Sequence, residues 1–234
     1  MELSLSLDPA SGKDFAQYLD FVNSIDGITI HCDVMDGSFV PRISIPRSEY
    51  AHLCKKSKHK IDVHLMVEKV EENLDYYLSQ CCRGMIRSIC FHVEAITYPQ
   101  DRNRPEKSAT PSPKAIELVE KIRMNGIEGG IAIDLDTDID EIDERLLFMC
   151  DVITMMSVKA GASGQTFNKD VLAKVKKIKR LYPNVRIILD GGINLENIEQ
   201  IKKAGVDTAV SASAVYNAEF RIAAIKTFKK LIQS

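Results

Sequence analysis

Any chemistry in this chain has to come from a small set of side chains. It has five histidines and no tryptophan. Two histidines stand two positions from an aspartate, in His31-Cys32-Asp33 and Asp62-Val63-His64. A third, His92, stands two positions before Glu94, and Asp190 ends the run Ile187-Ile188-Leu189. Residues two apart on a strand share one face. A lone inward Asp or His is more often a satisfied core group than a ligand. Two histidines and two aspartates converging from three strands are another matter: neutral imidazoles with carboxylates suit a divalent transition metal such as Zn²⁺, Fe²⁺ or Mn²⁺.

The elements that must position these groups are legible as an alternation. Strand-like runs cover 3–7, 28–34, 60–67, 86–93, 129–135, 151–158, 185–191 and 207–212. Amphipathic stretches lie between them, among them Val70–Gln80, Pro113–Asn125, Lys169–Tyr182 and Glu196–Ala204. Asn125-Gly126 and Ala204-Gly205 read as helix ends with Gly just beyond. Eight strands each followed by a helix predict an α/β fold, a (β/α)₈ TIM barrel, although about 250 residues is more usual for one. A doubly wound open sheet is the competing layout, weakened because no G-x-G-x-x-G follows the first strand. Without a linker or an internal repeat, residues 1–234 read as one barrel domain. Residues 97–113, with four of the eight prolines, read as a long βα loop, either a lid over the C-terminal face or a tolerated insertion.

Parallel strands buried on both faces should be nearly continuous apolar runs. Here one parity is polar. Leu3, Leu5 and Leu7 alternate with Ser4, Ser6 and Asp8, and Ile30, Cys32 and Val34 with His31, Asp33 and Met35. Ile61, Val63, Leu65 and Val67 alternate with Asp62, His64 and Met66; Ile89, Phe91 and Val93 with Ser88, Cys90, His92 and Glu94; and Ile187 and Leu189 with Asp190. If the apolar parity packs on outer helices, the polar one points into the barrel. Burying so many ionisable groups is costly unless they bind metal or pair with one another. Gly-bearing or small-residue turns follow the last three strands, at 159–167, 190–193 and 211–214. Such loops recur in barrels as phosphate sites built from backbone N–H groups.

The 31 basic and 33 acidic residues leave a formal charge of −2, which excludes a generally basic nucleic-acid binder and leaves a phosphate to backbone amides. No window supplies the ~18 apolar residues of a membrane span. The N-terminal residues lack a signal peptide's basic start and apolar middle. Six cysteines form no C-x-x-C pair or zinc spacing, so the expectation is a reduced, cytoplasmic protein.

The segments HCDVMDGSFVPRISI (31–45), DVHLMV (62–67), FHVEA (91–95), MSVKAGASGQTF (156–167) and ILDGGI (188–193) occur in one order from end to end of the chain. In them the sequence resembles the ribulose-phosphate 3-epimerase family. The resemblance implies a metal-dependent barrel of the ribulose-phosphate-binding type, interconverting D-ribulose 5-phosphate and D-xylulose 5-phosphate in the pentose phosphate pathway. It implies His31, Asp33, His64 and Asp190 as ligands of one divalent ion (Zn, Fe(II), Mn or Co). Asp33 and Asp190 would also be acid and base on opposite faces of C3, through an enediolate. Ser6, Met35, Met66 and Met156 would contact substrate, and Gly161, Ser163, Gly164, Gln165, Gly191, Gly192, Ala212 and Ser213 would hold its phosphate end. The family's habit also implies a homo-oligomer.

Departures from the family pattern concentrate in the substrate-holding shell. The phosphate loop N-P-G-F-G-G-Q is here Lys159-Ala160-Gly161-Ala162-Ser163-Gly164-Gln165, and Gly-Ser after the last strand is Ala212-Ser213. V-P-N becomes Val40-Pro41-Arg42, and N-P-x-T becomes Asp134-Leu135-Asp136-Thr137, adding acids near the site. Substrate identity is therefore more open than reaction type. The alternatives are a 3-epimerase of a ketohexose 6-phosphate such as allulose 6-phosphate, and a non-catalytic sugar-phosphate-binding barrel. A decarboxylase of the orotidine-phosphate type is set aside, because 31–36 holds no lysine for a D-x-K-x-x-D array.

Overall fold

The apolar parity of the strands packs outward against helices, and this is what closes the sheet. The computed structural model describes residues 1–80, 84–97, 113–161 and 164–233. The chain runs β1 (Glu2–Ser6), α1 (Phe15–Asn23), β2 (Thr29–Asp36), β3 (Ile43–Ser44), α2 (Arg47–Lys56), β4 (Ile61–Met66), α3 (Val70–Ser79) and β5 (Ile86–His92). It continues α4 (Val93–Thr97), α5 (Pro113–Met124), β6 (Glu128–Ile133), α6 (Glu144–Met149), β7 (Val152–Met156), α7 (Val171–Leu181) and β8 (Arg186–Asp190). It ends α8 (Ile198–Lys203), β9 (Thr208–Ser211), α9 (Ser213–Tyr216) and α10 (Arg221–Gln233).

Eight parallel strands follow one another as β1-β9-β8-β7-β6-β5-β4-β2, and β1 pairs with β2 to complete a (β/α)₈ barrel. Leu3, Leu5, Ile30, Val34, Ile61, Val63, Leu65, Ile187 and Leu189 all belong to one buried core shared with the helices. On α7, Val171, Val175 and Ile178 are buried while Lys176, Lys177 and Arg180 are not; this is the one-sided stripe of an amphipathic helix. Inside the barrel a separate small cluster, Cys90, Ala132, Val152, Ile188 and Val210, fills the middle layer. Gly130 belongs to that tight region: a Cβ there would stand 1.8 Å from the carbonyl oxygen of Val152 on β7.

Below this layer the barrel is closed by charge. Asp62, at the second position of β4, accepts from Arg87 Nε (3.0 Å) and Nη2 (2.5 Å), from Ser88 Oγ (2.6 Å) and from Arg186 Nη2 (2.9 Å). Arg186 also pairs with Glu128, and Arg87 with Glu2. Asp62 shares the polar parity of His64 but lies one layer lower, so it forms the floor and takes no part in the upper cluster.

Three details differ from the sequence reading. Glu94 is not on a strand: β5 ends at His92, and Glu94 lies in the first turn of α4. A two-residue strand, β3, folds back antiparallel onto the end of β2, pairing Met35 with Ser44; two residues are too few to show a period. The segment 211–214 is not a bare loop, because α9 starts at Ser213. Of the predicted loop at 97–113, residues 98–112 lie outside the described residues. Among the described residues no helix is long and apolar enough to cross a membrane.

Candidate metal centre and active site

The C-terminal ends of β2, β4 and β8 bring together the four residues singled out above. His31 Nε2, Asp33 Oδ1, His64 Nδ1 and Asp190 Oδ2 turn toward one point. His31 Nε2 lies 3.2 Å from Asp33 Oδ1, 3.6 Å from Asp190 Oδ2 and 3.4 Å from His64 Nδ1. His64 Nδ1 lies 3.1 Å from Asp33 Oδ1 and 3.6 Å from Asp190 Oδ2. Atoms held about 2.0–2.1 Å from one ion at tetrahedral angles stand about 3.3–3.4 Å apart. The spacing and the donor set, two imidazoles and two carboxylates, therefore fit a divalent cation. Among the described residues this is the one group of three or more His, Cys, Asp or Glu side chains so arranged.

Without a cation the charges lean on each other. Burial works against the imidazolium of His31, but Asp33 and Asp190 outweigh it and raise its pKa well above 6.5. His64 is raised for the same reasons, with burial and His31 opposing. Burial pushes Asp33 up, yet His31 and His64 hold it far below the usual carboxylate range. Burial and Asp33 both push Asp190 up, and the two histidines overcome them.

Three of the four ligands are oriented from behind, each by a different device. Ser6 Oγ donates to Asp33 Oδ2 at 2.7 Å, leaving Oδ1 for the cluster. His92 Nε2 stands 3.0 Å from His64 Nε2, and His92 Nδ1 stands 3.0 Å from Glu94 Oε2. Burial raises Glu94, but the hydrogen bonds from His92, Thr137 and Asp134 hold it below the ordinary 4.5. Asp190 is placed through its backbone, whose carbonyl accepts from the Ser157 amide and hydroxyl. His31 Nδ1 is buried with no partner among the described residues.

Above the cluster opens a cavity with about 520 Å³ of empty space, its mouth included. Asp33, Asp190, Ser6, Met35, Met66 and Met156 line it, together with Gly161, Gly164, Gly191, Gly192, Ala212 and Ser213. Met35 and Met66 pack with Val40, Phe39 and Ala160 as an apolar wall. Gly191 and Gly192 have φ of +109° and +60°, and a Cβ on Gly192 would come within 2.7 Å of the Phe167 amide nitrogen. Asn197 Nδ2 donates to the Gly192 carbonyl and secures that turn. Gln165 is not in the lining; its amide donates to the Lys159 carbonyl and ties the loop together. Ser163 lies outside the described residues.

Sequence reasoning passed over three neighbours. Lys159 lines the cavity, so one cation joins the amides near the mouth. Asp8 lines it too, accepting from Ser44 Oγ at 2.6 Å and Arg42 Nη1 at 2.9 Å. Burial, helped by Asp33, raises its pKa above 3.8. Thr137 Oγ1 and the Asp134 amide both donate to Glu94 Oε1, so the departure at 134–137 supports the site from behind and adds no acid to the lining. Each had a signal that was not followed to a role: Asp8 shares the inward parity of Ser6, Lys159 opens the Gly-bearing turn, and Thr137 is shared with the family pattern.

The chain matches the model of the Ribulose-phosphate 3 epimerase family over residues 2–216. It is 30% identical over 222 residues to the ribulose-phosphate 3-epimerase of Mycobacterium tuberculosis H37Rv, covering 93% of this chain and 88% of that protein. It is 35% identical over 195 residues to the ribulose-phosphate 3-epimerase of Mycoplasma genitalium, covering 83% and 82%. Among solved structures, the tryptophan synthase A-subunit of Pyrococcus furiosus superposes with a TM-score of 0.63 at 15% identity, covering 99% of this chain and 95% of that one. That likeness concerns the barrel alone.

Proposed function

The chain belongs to the ribulose-phosphate 3-epimerase family, a family of isomerases, and on that premise we propose that it inverts C3 of a phosphorylated ketose, with D-ribulose 5-phosphate and D-xylulose 5-phosphate as the pair. The observation that carries this reading is the convergence of His31, Asp33, His64 and Asp190 within 4.8 Å of one another at the base of the cavity. These four would hold one divalent cation (Zn, Fe(II), Mn or Co). When bound, it would act as a Lewis acid that stabilises negative charge on the oxygens of an enediolate.

The remaining steps belong to the chain's own groups. Asp33 on β2 and Asp190 on β8 face the cavity with β1 and β9 between them, which suits two carboxylates working on opposite faces of one carbon. One, ionised, removes the C3 proton; the other, protonated, delivers a proton to the opposite face, and the roles exchange with direction. Ser6 keeps the Asp33 carboxylate from rotating. Met35, Met66 and Met156 give the planar intermediate an apolar, polarisable wall that excludes water. The turns at Gly161, Gly164, Gly191, Gly192 and Ala212-Ser213 would take the phosphate on backbone amides, with Lys159 beside them.

The test combines purified protein with one equivalent of Fe²⁺, Mn²⁺, Co²⁺ or Zn²⁺ and a panel of pentulose and hexulose phosphates in D₂O. Deuterium is expected at C3 of product, and to vanish in Asp33→Asn and Asp190→Asn proteins that remain folded. Faster exchange into a hexulose 6-phosphate would reassign the substrate. No exchange at C3 with any metal or sugar would end the catalytic reading and leave a binding barrel.

A further inference from the structure

His92 and Glu94 do not belong to the four-residue cluster, yet a continuous line of hydrogen-bonding groups joins them to it. His92 is fully buried, with Phe39 packed on its ring at 4.7 Å between centroids. The line runs from Glu94 Oε2 to His92 Nδ1 (3.0 Å), then from His92 Nε2 to His64 Nε2 (3.0 Å). At its end, His64 Nδ1 faces the carboxylate oxygens of Asp33 and Asp190.

The direction of each bond follows from groups that can act in only one way. The backbone amide of Asp134 can only donate, and it reaches Glu94 Oε1 at 2.8 Å. Thr137 Oγ1 donates to the same oxygen at 2.6 Å. Glu94 as a carboxylate only accepts, so His92 Nδ1 must donate to it. A neutral His92 that donates at Nδ1 accepts at Nε2, and His64 then donates from its own Nε2. Once a cation displaces the proton between His64 Nδ1 and the carboxylates, the lone pair of His64 is left on Nδ1. Thr137 is itself placed by Lys174 on α7, whose Nζ donates to the carbonyls of Leu135 (2.5 Å) and Thr137 (2.7 Å). The line thus begins at an outer helix.

We propose that Glu94 and His92 are positioning residues that lock His64 in the Nε2–H tautomer and so present its Nδ1 lone pair to the divalent cation. This rests on reading the four-residue cluster as a cation site. His31 has no such support, since its Nδ1 is buried without a partner among the described residues. His64 is therefore the imidazole whose tautomer is built into the fold. Groups behind a metal-bound histidine set its tautomer and orientation, and their loss costs about 10–100-fold in affinity.

The discriminating change is Glu94→Gln, nearly isosteric. The Asp134 amide must still meet an oxygen, so the new NH₂ faces His92 Nδ1. That nitrogen becomes an acceptor, His92 Nε2 a donor, and the proton on His64 moves to Nδ1, the atom needed by the cation. Titration with Co²⁺, followed by its visible absorption, should give a Kd raised about 10–100-fold and a changed band pattern. In a His92→Gln background the same change should add less than about twofold, since the line is already cut. An unchanged Kd and spectrum in Glu94→Gln would overturn the inference while leaving the cation site standing. If the parent protein takes up no Co²⁺, or takes it up equally well after Asp33→Asn with His31→Gln, the cation site itself fails and the inference with it. A measurement independent of any variant is ¹⁵N NMR of the Zn²⁺-loaded parent protein. A proton on His64 Nε2 is expected, and a proton on Nδ1 would overturn the proposal.

Discussion

Ser6 donates to one oxygen of Asp33 and thereby chooses which oxygen the cluster receives. A hydrogen bond to a charged group contributes about 1.5–3 kcal/mol, so Ser6→Ala should lower kcat/KM by roughly 10–150-fold and, because Ser6 Oγ also accepts from the Asp8 amide, lower the Tm by roughly 3–12 °C. A loss smaller than twofold would show that Asp33 needs no such anchor. The histidines give a second prediction, for which the sign is set by the raised pKa values of His31 and His64. In the metal-free protein their stabilising contribution is complete below the ordinary 6.5 and is lost as pH rises through the raised values. The cation must displace those protons, so its affinity climbs with pH over the same window. The Tm difference between metal-loaded and chelator-treated protein should widen from about pH 6 to pH 8; a constant difference would remove these histidines from the site.

Among the elements, β6 is the one whose sequence is most constrained by a neighbour. Gly130 faces β7 so closely that an added Cβ would overlap the Val152 carbonyl, and Gly129 would bring one within 2.6 Å of the Val119 carbonyl on α5. Gly130→Ala should therefore destabilise the barrel by about 3 kcal/mol or more, read as a fall in the urea midpoint. A midpoint within experimental error of the parent would mean that β6 and β7 can part freely. Its neighbour β5 shows where pattern reading fell short. The parity of 86–93 placed His92 inward, and the structure agrees. It also carried Glu94 onto the strand, whereas the chain turns into α4 there and Glu94 reaches His92 from the first helical turn. Period-two alternation does not reveal where a strand stops.

Inside the barrel, charge is arranged in two tiers, one at each end of an apolar middle layer. The upper tier holds His31, Asp33, His64 and Asp190; the lower holds Asp62 between Arg87 and Arg186. Burial pushes the Asp62 carboxyl up, but Arg87, Arg186 and Ser88 hold it below the ordinary 3.8. Its contribution to stability is present above that value and lost as pH falls through the lowered one. Asp62→Ala leaves two arginines without their shared partner and should cost about 3–5 kcal/mol without changing Co²⁺ affinity. Asp62→Asn should flatten the acid limb of the stability profile. Loss of metal binding in either variant would show that the tiers are coupled and that the floor is part of the site.

The sequence by itself determined the strand order in the chain and the inward parity, because alternation along a strand is a local property, and the family resemblance picked four of the inward polar residues as the metal set. Family-specific segments around those residues made the reaction class legible as well. Only the tertiary structure separated Asp62 from His64, since two residues of one parity on one strand look alike until the barrel stacks them in different layers. It alone revealed that Ser6 backs Asp33, that Glu94 backs His64 through His92, and that Lys174 and Thr137 stand behind Glu94. Those links join residues from β1, β2, β4, β5, α4, the turn after β6 and α7. No periodicity along a chain encodes which side chains meet when a sheet closes on itself.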